Sequence, residues 1–369
     1  MQNHKPTNNI MQKRIPGFDT ARAFAIFGMF IVNFNFCFGS FQDRSLTGQF
    51  LNLFTGNSTA IFIICAGMGV SLMTSNVNSN SLEEKEKFKL IILKRSWFLF
   101  AVGLLLYNWW AGDILHFYGG YMHIAAFMLF VPGRYLLIGA VIGILIFHIL
   151  LYIIPIFTSW DLTTFRYADF WTIKGFLRNT FYNGWNSIFP WIAYFLLGMW
   201  LGRLNWQDKK VRKRIFLTGL TFFVLFEGLR KYALYKQFDR SILDYIMYDY
   251  FPPYLPFMII TASFALMVIT ICIWLGDEFF NNKLLHSLAA TGKMTLTHYV
   301  VHLTIGMLIF QNLTGKKYTG FLQTEMPSSP AYILTFSTIF FLVSVVFSVL
   351  WSRKFKNGPL ETLMRKFSR

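Results

Sequence analysis

Ten apolar runs, several of them near the length a helix needs to cross a bilayer, recur along this 369-residue chain and leave few other folds open. They occupy residues 20–38, 58–74, 96–110, 113–131, 136–154, 188–204, 214–229, 254–275, 293–311 and 331–351. A helix rises about 1.5 Å per residue, so roughly 20 apolar residues span a hydrocarbon core. Only 14% of the residues are charged, against about 25% in soluble domains. Most of the surface therefore faces something other than water. The expected fold is all-α: one polytopic membrane helix bundle over 1–369, with about ten transmembrane helices.

The net charge of +17 does not signal nucleic acid, because the basic residues sit in short clusters between apolar runs. With the N-terminus inside, the cytoplasmic segments hold 23 of the 34 Lys and Arg, the outer loops 10, and Arg22 lies within the first run. Cytoplasmic loops attract such residues, so both termini are expected in the cytoplasm. Residues 155–187 and 230–253 fall outside and could cover an outward-facing cavity. No cleaved signal peptide is expected at the polar, basic start. Cys37, Cys65 and Cys272 have no CxxC spacing, so neither a disulfide framework nor a zinc site is expected.

Two stretches read as interfacial helices. Ser81 with Glu84 forms a capping box before the third run. Gly358-Pro359 opens an amphipathic C-terminal helix within 355–369, with Leu360, Leu363, Met364 and Phe367 on one face. That pattern suits an anionic inner leaflet, and membrane lipids are expected partners.

Ionisable groups inside a membrane are costly and need a reason. In the first run Asp19 and Arg22 share a helical face, with Asn33 about three turns further along it. They read as an interfacial ion pair with a hydrogen-bonded Asn, or as part of a site. In the fourth, Asp113, His116, Gly120 and His123 form one stripe. A carboxylate one turn from an imidazole fixes its tautomer and raises its basicity, as a general base requires; a helix cap is the plainer alternative. In the ninth, Thr295, His298 and His302 make a third stripe, where packing histidines compete with substrate contacts. His298 and His302 lack a partnering acid, so no metal site is expected. Arg22, Arg203 and Lys293 at the inner ends satisfy the positive-inside rule, and would equally suit a phosphate-rich ligand.

Four blocks carry a family resemblance. The first runs from Arg14-Ile-Pro-Gly-Phe-Asp19 through Arg22 to Asn33, and the second is Gly112-Asp113-Ile114-Leu115 with Tyr118. The third is Gly292-Lys293-Met294 with Leu296, Thr297 and Tyr299; the fourth is Trp351, Phe355 and Gly358-Pro359-Leu360-Glu361 with Arg365 following. In this order they resemble the YeiB-like membrane proteins, with Phe18 and Ala23 departing from the usual pattern. That group is similar to the transmembrane acyltransferases of the heparan-α-glucosaminide N-acetyltransferase type, which the Phe189-Pro190-Trp191 to Arg203 stretch also resembles.

The resemblance implies transfer of an acyl group from cytoplasmic acyl-CoA, as co-substrate, to an extracytoplasmic glycan, lipid or small molecule. It implies no bound cofactor, and a location in a bacterial cytoplasmic membrane. It also implies a histidine in the segment after the first run, yet residues 39–57 contain none. His116, oriented by Asp113, is the substitute base. Asn33, His302 and His298 become substrate contacts, and Arg22, Arg203 and Lys293 the phosphate contacts. A transporter or flippase using the same stripes, and a membrane protein without turnover, are the competing readings.

Overall fold

A computed structural model describes residues 15–369 except 76, 78–80, 162, 163, 165, 248, 280 and 317–325. Arg14, which opens the first motif block, lies outside the described residues. The helices are α1 (Pro16–Phe38), α2 (Leu46–Asn52), α3 (Asn57–Thr74), α4 (Leu82–Tyr107), α5 (Leu115–Phe127) and α6 (Gly133–Ile153). After a two-residue hairpin, β1 (Trp160–Asp161) against β2 (Arg166–Tyr167), come α7 (Ile173–Arg178), α8 (Ile188–Leu201), α9 (Lys209–Tyr235) and α10 (Arg240–Ile246). The chain closes with α11 (Leu255–Glu278), α12 (Lys283–Gly292), α13 (Thr295–Val301), α14 (Met307–Thr314), α15 (Pro330–Ser352) and α16 (Pro359–Phe367). A π turn, His302–Gly306, joins α13 to α14.

Local chemistry sets several boundaries. Pro16 and Pro330 stand in the first turns of α1 and α15, where a missing N–H costs nothing. The Ser81 hydroxyl accepts from the Glu84 amide at 3.2 Å, as the capping motif requires, and α4 then runs unbroken into the bundle.

Among the described residues, six helical segments are long and apolar enough to cross a membrane: α1, α2–α3 together, α4, α6, α11 and α15. The bent pair formed by α12 and Thr295–Thr314, at 70°, brings the number to seven. Each of the ten apolar runs lies on helix, but three do not meet this test. α5 and α8 have only 13 and 14 residues, and α9 carries charge at both ends, from Lys209 to Arg214 and from Glu227 to Lys231.

The bundle is arranged for an apolar solvent. On α15, Ser337, Ser344 and Ser348 are buried while Ile339, Leu342, Val343, Val346 and Leu350 are exposed. Water would reverse that pattern. In lipid, small polar residues face neighbouring helices and aliphatic ones face the tails. The protein is a membrane helix bundle.

Candidate active site

Where α1 begins, a cavity of about 570 Å³ opens between α1, α3, α4, α5, the α12–α13 break and α16. Gly292 permits this junction: a Cβ there would collide with the Asp19 carbonyl oxygen. The break therefore passes directly against α1, and Lys293 joins Arg22 in the lining. Arg95 and Arg365 bring the cations to four, against the carboxylates of Asp19 and Glu361. The space suits an anionic ligand.

Two of these groups also hold the walls. Arg22 reaches Asp19 Oδ1 at 3.4 Å and donates to the Cys65 carbonyl at 3.0 Å, tying α1 to α3. Arg22→Ala should lower stability by roughly 1–3 kcal/mol, less than a fully buried pair would lose, because its side chain remains 27% exposed. Thermal unfolding in detergent measures this. The double change Asp19→Ala/Arg22→Ala should be milder; equal or greater damage would show that the two do not act as a pair.

Glu361 anchors α16. Its Oε1 accepts from the Leu296 and Thr297 amides at 2.8 and 3.2 Å, and its Oε2 from the Thr297 hydroxyl at 2.6 Å. A carboxylate thus closes the start of α13, where amides lack helical partners. Burial pushes this carboxyl up from its ordinary value, while the Thr297 hydroxyl and the backbone amides oppose the shift. At the other end of α16, Arg95 Nε donates to the Ser368 hydroxyl at 3.3 Å, and Phe367 lies 5.9 Å from Phe98. The expected apolar face is divided: Leu360 and Met364 pack on the core, whereas Leu363 and Phe367 are exposed.

All four motif blocks meet at this cavity. The first supplies Phe18, Asp19 and Arg22, and the second Leu115 and Tyr118. The third supplies Gly292, Lys293 and Leu296, and the fourth Glu361 and Arg365. Segments more than three hundred residues apart in sequence therefore build one wall.

Deeper in the bundle lies a buried polar network. Asp113, just before α5, accepts from the His116 amide at 3.2 Å and faces His116 Nδ1 at 3.3 Å. The capping and dyad readings of Asp113 thus coexist in one geometry. Gly103 makes room for it, since a Cβ there would strike the His116 backbone. The Tyr299 hydroxyl reaches Asp113 Oδ1 at 3.4 Å and accepts from the Ile114 amide at 3.1 Å. The Tyr299 ring is 5.1 Å from that of His302, whose Nε2 lies 2.9 Å from Asn33 Nδ2. His302 Nδ1 is 3.3 Å from the His298 carbonyl, so a proton on Nδ1 leaves Nε2 to accept from Asn33.

His116 Nε2 has no hydrogen-bond partner among the described residues, although the side chain is fully buried. Leaving a buried polar atom unpaired costs about 1–3 kcal/mol, so the position calls for an explanation. Tyr107, Phe117 and Phe170 surround the ring at 5.6, 3.8 and 5.9 Å between centroids. Phe170 stacks on Tyr107 at 3.6 Å and comes from the segment expected to act as a cover. Arg178 holds that segment through Asp169, with both contacts at 2.8 Å, and through the Tyr167 hydroxyl at 2.7 Å. Burial works to raise the Asp169 carboxyl, but hydrogen bonds from Arg178 and Ser159 keep it below its ordinary value.

Three expected placements are corrected. Arg203 does not line the cavity; its guanidinium bonds the carbonyls of Met128, Leu129 and Val131, groups that the end of α5 leaves open. His298 turns away from the network to the Ser348 hydroxyl at 2.7 Å, so Thr295, His298 and His302 serve three different places. His123 leaves the Asp113–His116 stripe for the Ser96 hydroxyl at 3.3 Å. The sequence reading missed Arg95, Tyr107 and Phe170, none of which lies in a motif block. It assigned no role to Tyr299, Glu361 or Arg365, which the third and fourth blocks contain.

Comparison with known proteins finds similarity over both halves of the chain. An uncharacterized protein of Bacillus subtilis (strain 168), YxaH, is 26% identical over 197 residues. That match covers 50% of this chain and 42% of the relative's length. Residues 198–369 match a protein family of unknown function, DUF418. Residues 14–236 match the catalytic domain of heparan-alpha-glucosaminide N-acetyltransferase. Since this last match takes in more than half of the chain, the protein belongs to the heparan-alpha-glucosaminide N-acetyltransferase catalytic-domain family, and its C-terminal part is similar to DUF418.

Proposed function

We propose that this membrane acyltransferase-like protein takes an acyl group from cytoplasmic acyl-CoA and delivers it to a hydroxyl or amine on the far side of the membrane. One observation carries the reading: the cationic cavity built by all four motif blocks is also lined by Phe62, Leu115 and Tyr118, and Leu115 directly precedes His116 of the buried network. Phe62 stacks with Tyr299 at 6.3 Å, and the Tyr118 hydroxyl donates to the Phe62 carbonyl at 2.7 Å. From Arg95 to Gly103, which faces His116, α4 rises about 12 Å. An extended thioester arm can bridge that distance while its phosphates stay among the cations.

In this reading Arg22, Arg95, Lys293 and Arg365 hold the CoA phosphates. The acceptor attacks the thioester carbonyl as His116 Nε2 takes its proton, and Asp113 orients the imidazole. Asn33 has a second N–H to offer the developing oxyanion, beyond the one directed at His302. Collapse expels the CoA thiolate, which takes the proton back from His116. The test is incubation of purified protein with labelled acyl-CoA and candidate acceptors. Release of CoA with appearance of a labelled product is expected; release absent with every acceptor class opposes the reading.

The same reading places ten crossings in a bacterial cytoplasmic membrane, with α5, α8 and α9 as short or partly charged spans, α16 on the inner surface and both termini cytoplasmic. Cysteines introduced at positions 2 and 369 should react with an impermeant maleimide only after the membrane is opened. Labelling of either one in intact cells would overturn this topology.

A further inference from the structure

Helix α9 has two unlike faces. One packs inward: Arg212 pairs with Asp277 of α11, and Gly219 lies against the Ser263 carbonyl. The other is a shallow, largely open groove along this one helix, lined by Lys210, Lys213, Arg214, Leu217, Thr218 and Phe222. These positions repeat at helical spacing, so three cations stand directly below an apolar strip. They occupy the start of the helix, where the backbone dipole is already positive and cations are disfavoured.

Among the described residues none of the three forms an ion pair. The first turn of α9 has no acidic residue, and the Asp208 carboxylate is engaged by the Lys210 amide at 2.8 Å. The groove lies at the same end of the bundle as the mouth of the cationic cavity. Trp206, just before α9, meets Phe18 of α1 edge-on at 5.7 Å.

We infer that this groove binds one anionic glycerophospholipid, with its phosphate among Lys210, Lys213 and Arg214 and its chains along Leu217 and Phe222. Thr218 offers a hydroxyl to the ester region between them. A headgroup with net negative charge matches the three cations, and an apolar wall continuing into the hydrophobic part of the helix matches chains rather than a free phosphate. Such basic pockets at a membrane surface select anionic lipids, each cation contributing about fivefold.

The test is native mass spectrometry of the full chain taken from vesicles of equal phosphatidylglycerol and phosphatidylethanolamine. Wild type should retain phosphatidylglycerol preferentially, by roughly tenfold or more. Lys210→Gln/Lys213→Gln/Arg214→Gln should abolish the preference, whereas Arg353→Gln/Lys354→Gln, which neutralises another exposed basic end, should preserve it. Lys213→Glu alone is a second probe and should cut the preference about tenfold or more. No preference in wild type, or a preference that survives these α9 changes, overturns the assignment. Acyl transfer need not be measured, so this result and that of the acyl-CoA assay stand apart.

Discussion

Replacing His116 with alanine is expected to lower acyl transfer by roughly 10²–10⁴-fold, the usual consequence of removing a general base. The imidazole is fully buried, its Nδ1 faces Asp113, and its Nε2 has no partner among the described residues. The change removes an unsatisfied polar nitrogen along with some packing, so acyl-CoA binding should persist and expression should remain close to wild type. Asp113→Asn should lose less, because an amide oxygen can still receive the Nδ1 proton and keep the ring oriented. Single-turnover transfer, compared with acyl-CoA binding in the same preparations, separates chemistry from binding. Near-normal transfer by His116→Ala would make the dyad structural, and His302, held by Asn33, would become the next base to test.

The second large effect falls on donor affinity. Lys293 and Arg365 line the cationic cavity and are exposed, so their neutralisation should leave the fold intact. Hydrogen bonds to charged groups contribute about 1.5–3 kcal/mol each. Solvent exposure discounts this to about tenfold per side chain. Lys293→Met/Arg365→Met should therefore raise KM for acyl-CoA by roughly 10–100-fold, with kcat within about threefold of wild type. An acyl-pantetheine thioester without phosphates supplies the control, since wild type and variant should use it equally poorly. If the variant lost the same factor on both substrates, the cations would be shaping the cavity rather than holding phosphate.

The two predictions rest on different amounts of sequence information. Asp113 and His116 lie three residues apart. Although Asp113 precedes α5 rather than sharing a helical turn with His116, its carboxylate accepts from the His116 amide at the helix start and so stays beside the ring. The ion pair of Asp19 and Arg22 was legible from helical periodicity. Apolar run lengths, the charge deficit and the Ser81 capping motif likewise described a membrane helix bundle without any coordinates. Each of these relations spans fewer than about twenty residues, a range within which backbone geometry fixes position.

Contacts between helices obey no such rule. Asn33 meets His302 across 269 residues, and Glu361 caps α13 from more than sixty residues away. Arg203 and Lys293 looked equivalent as cations at inner span ends, yet one closes helix carbonyls and the other lines the cavity. His298 and His302 share a helical stretch, but one faces α15 and the other α1. Sequence by itself therefore determined the solvent, the helical character of the apolar runs and the closeness of Asp113 to His116. Tertiary packing decided which polar side chains share a cavity, because that depends on close helix contacts such as Gly292 against Asp19 and Gly103 against His116, whose partners are set by three-dimensional packing and not by spacing along the chain.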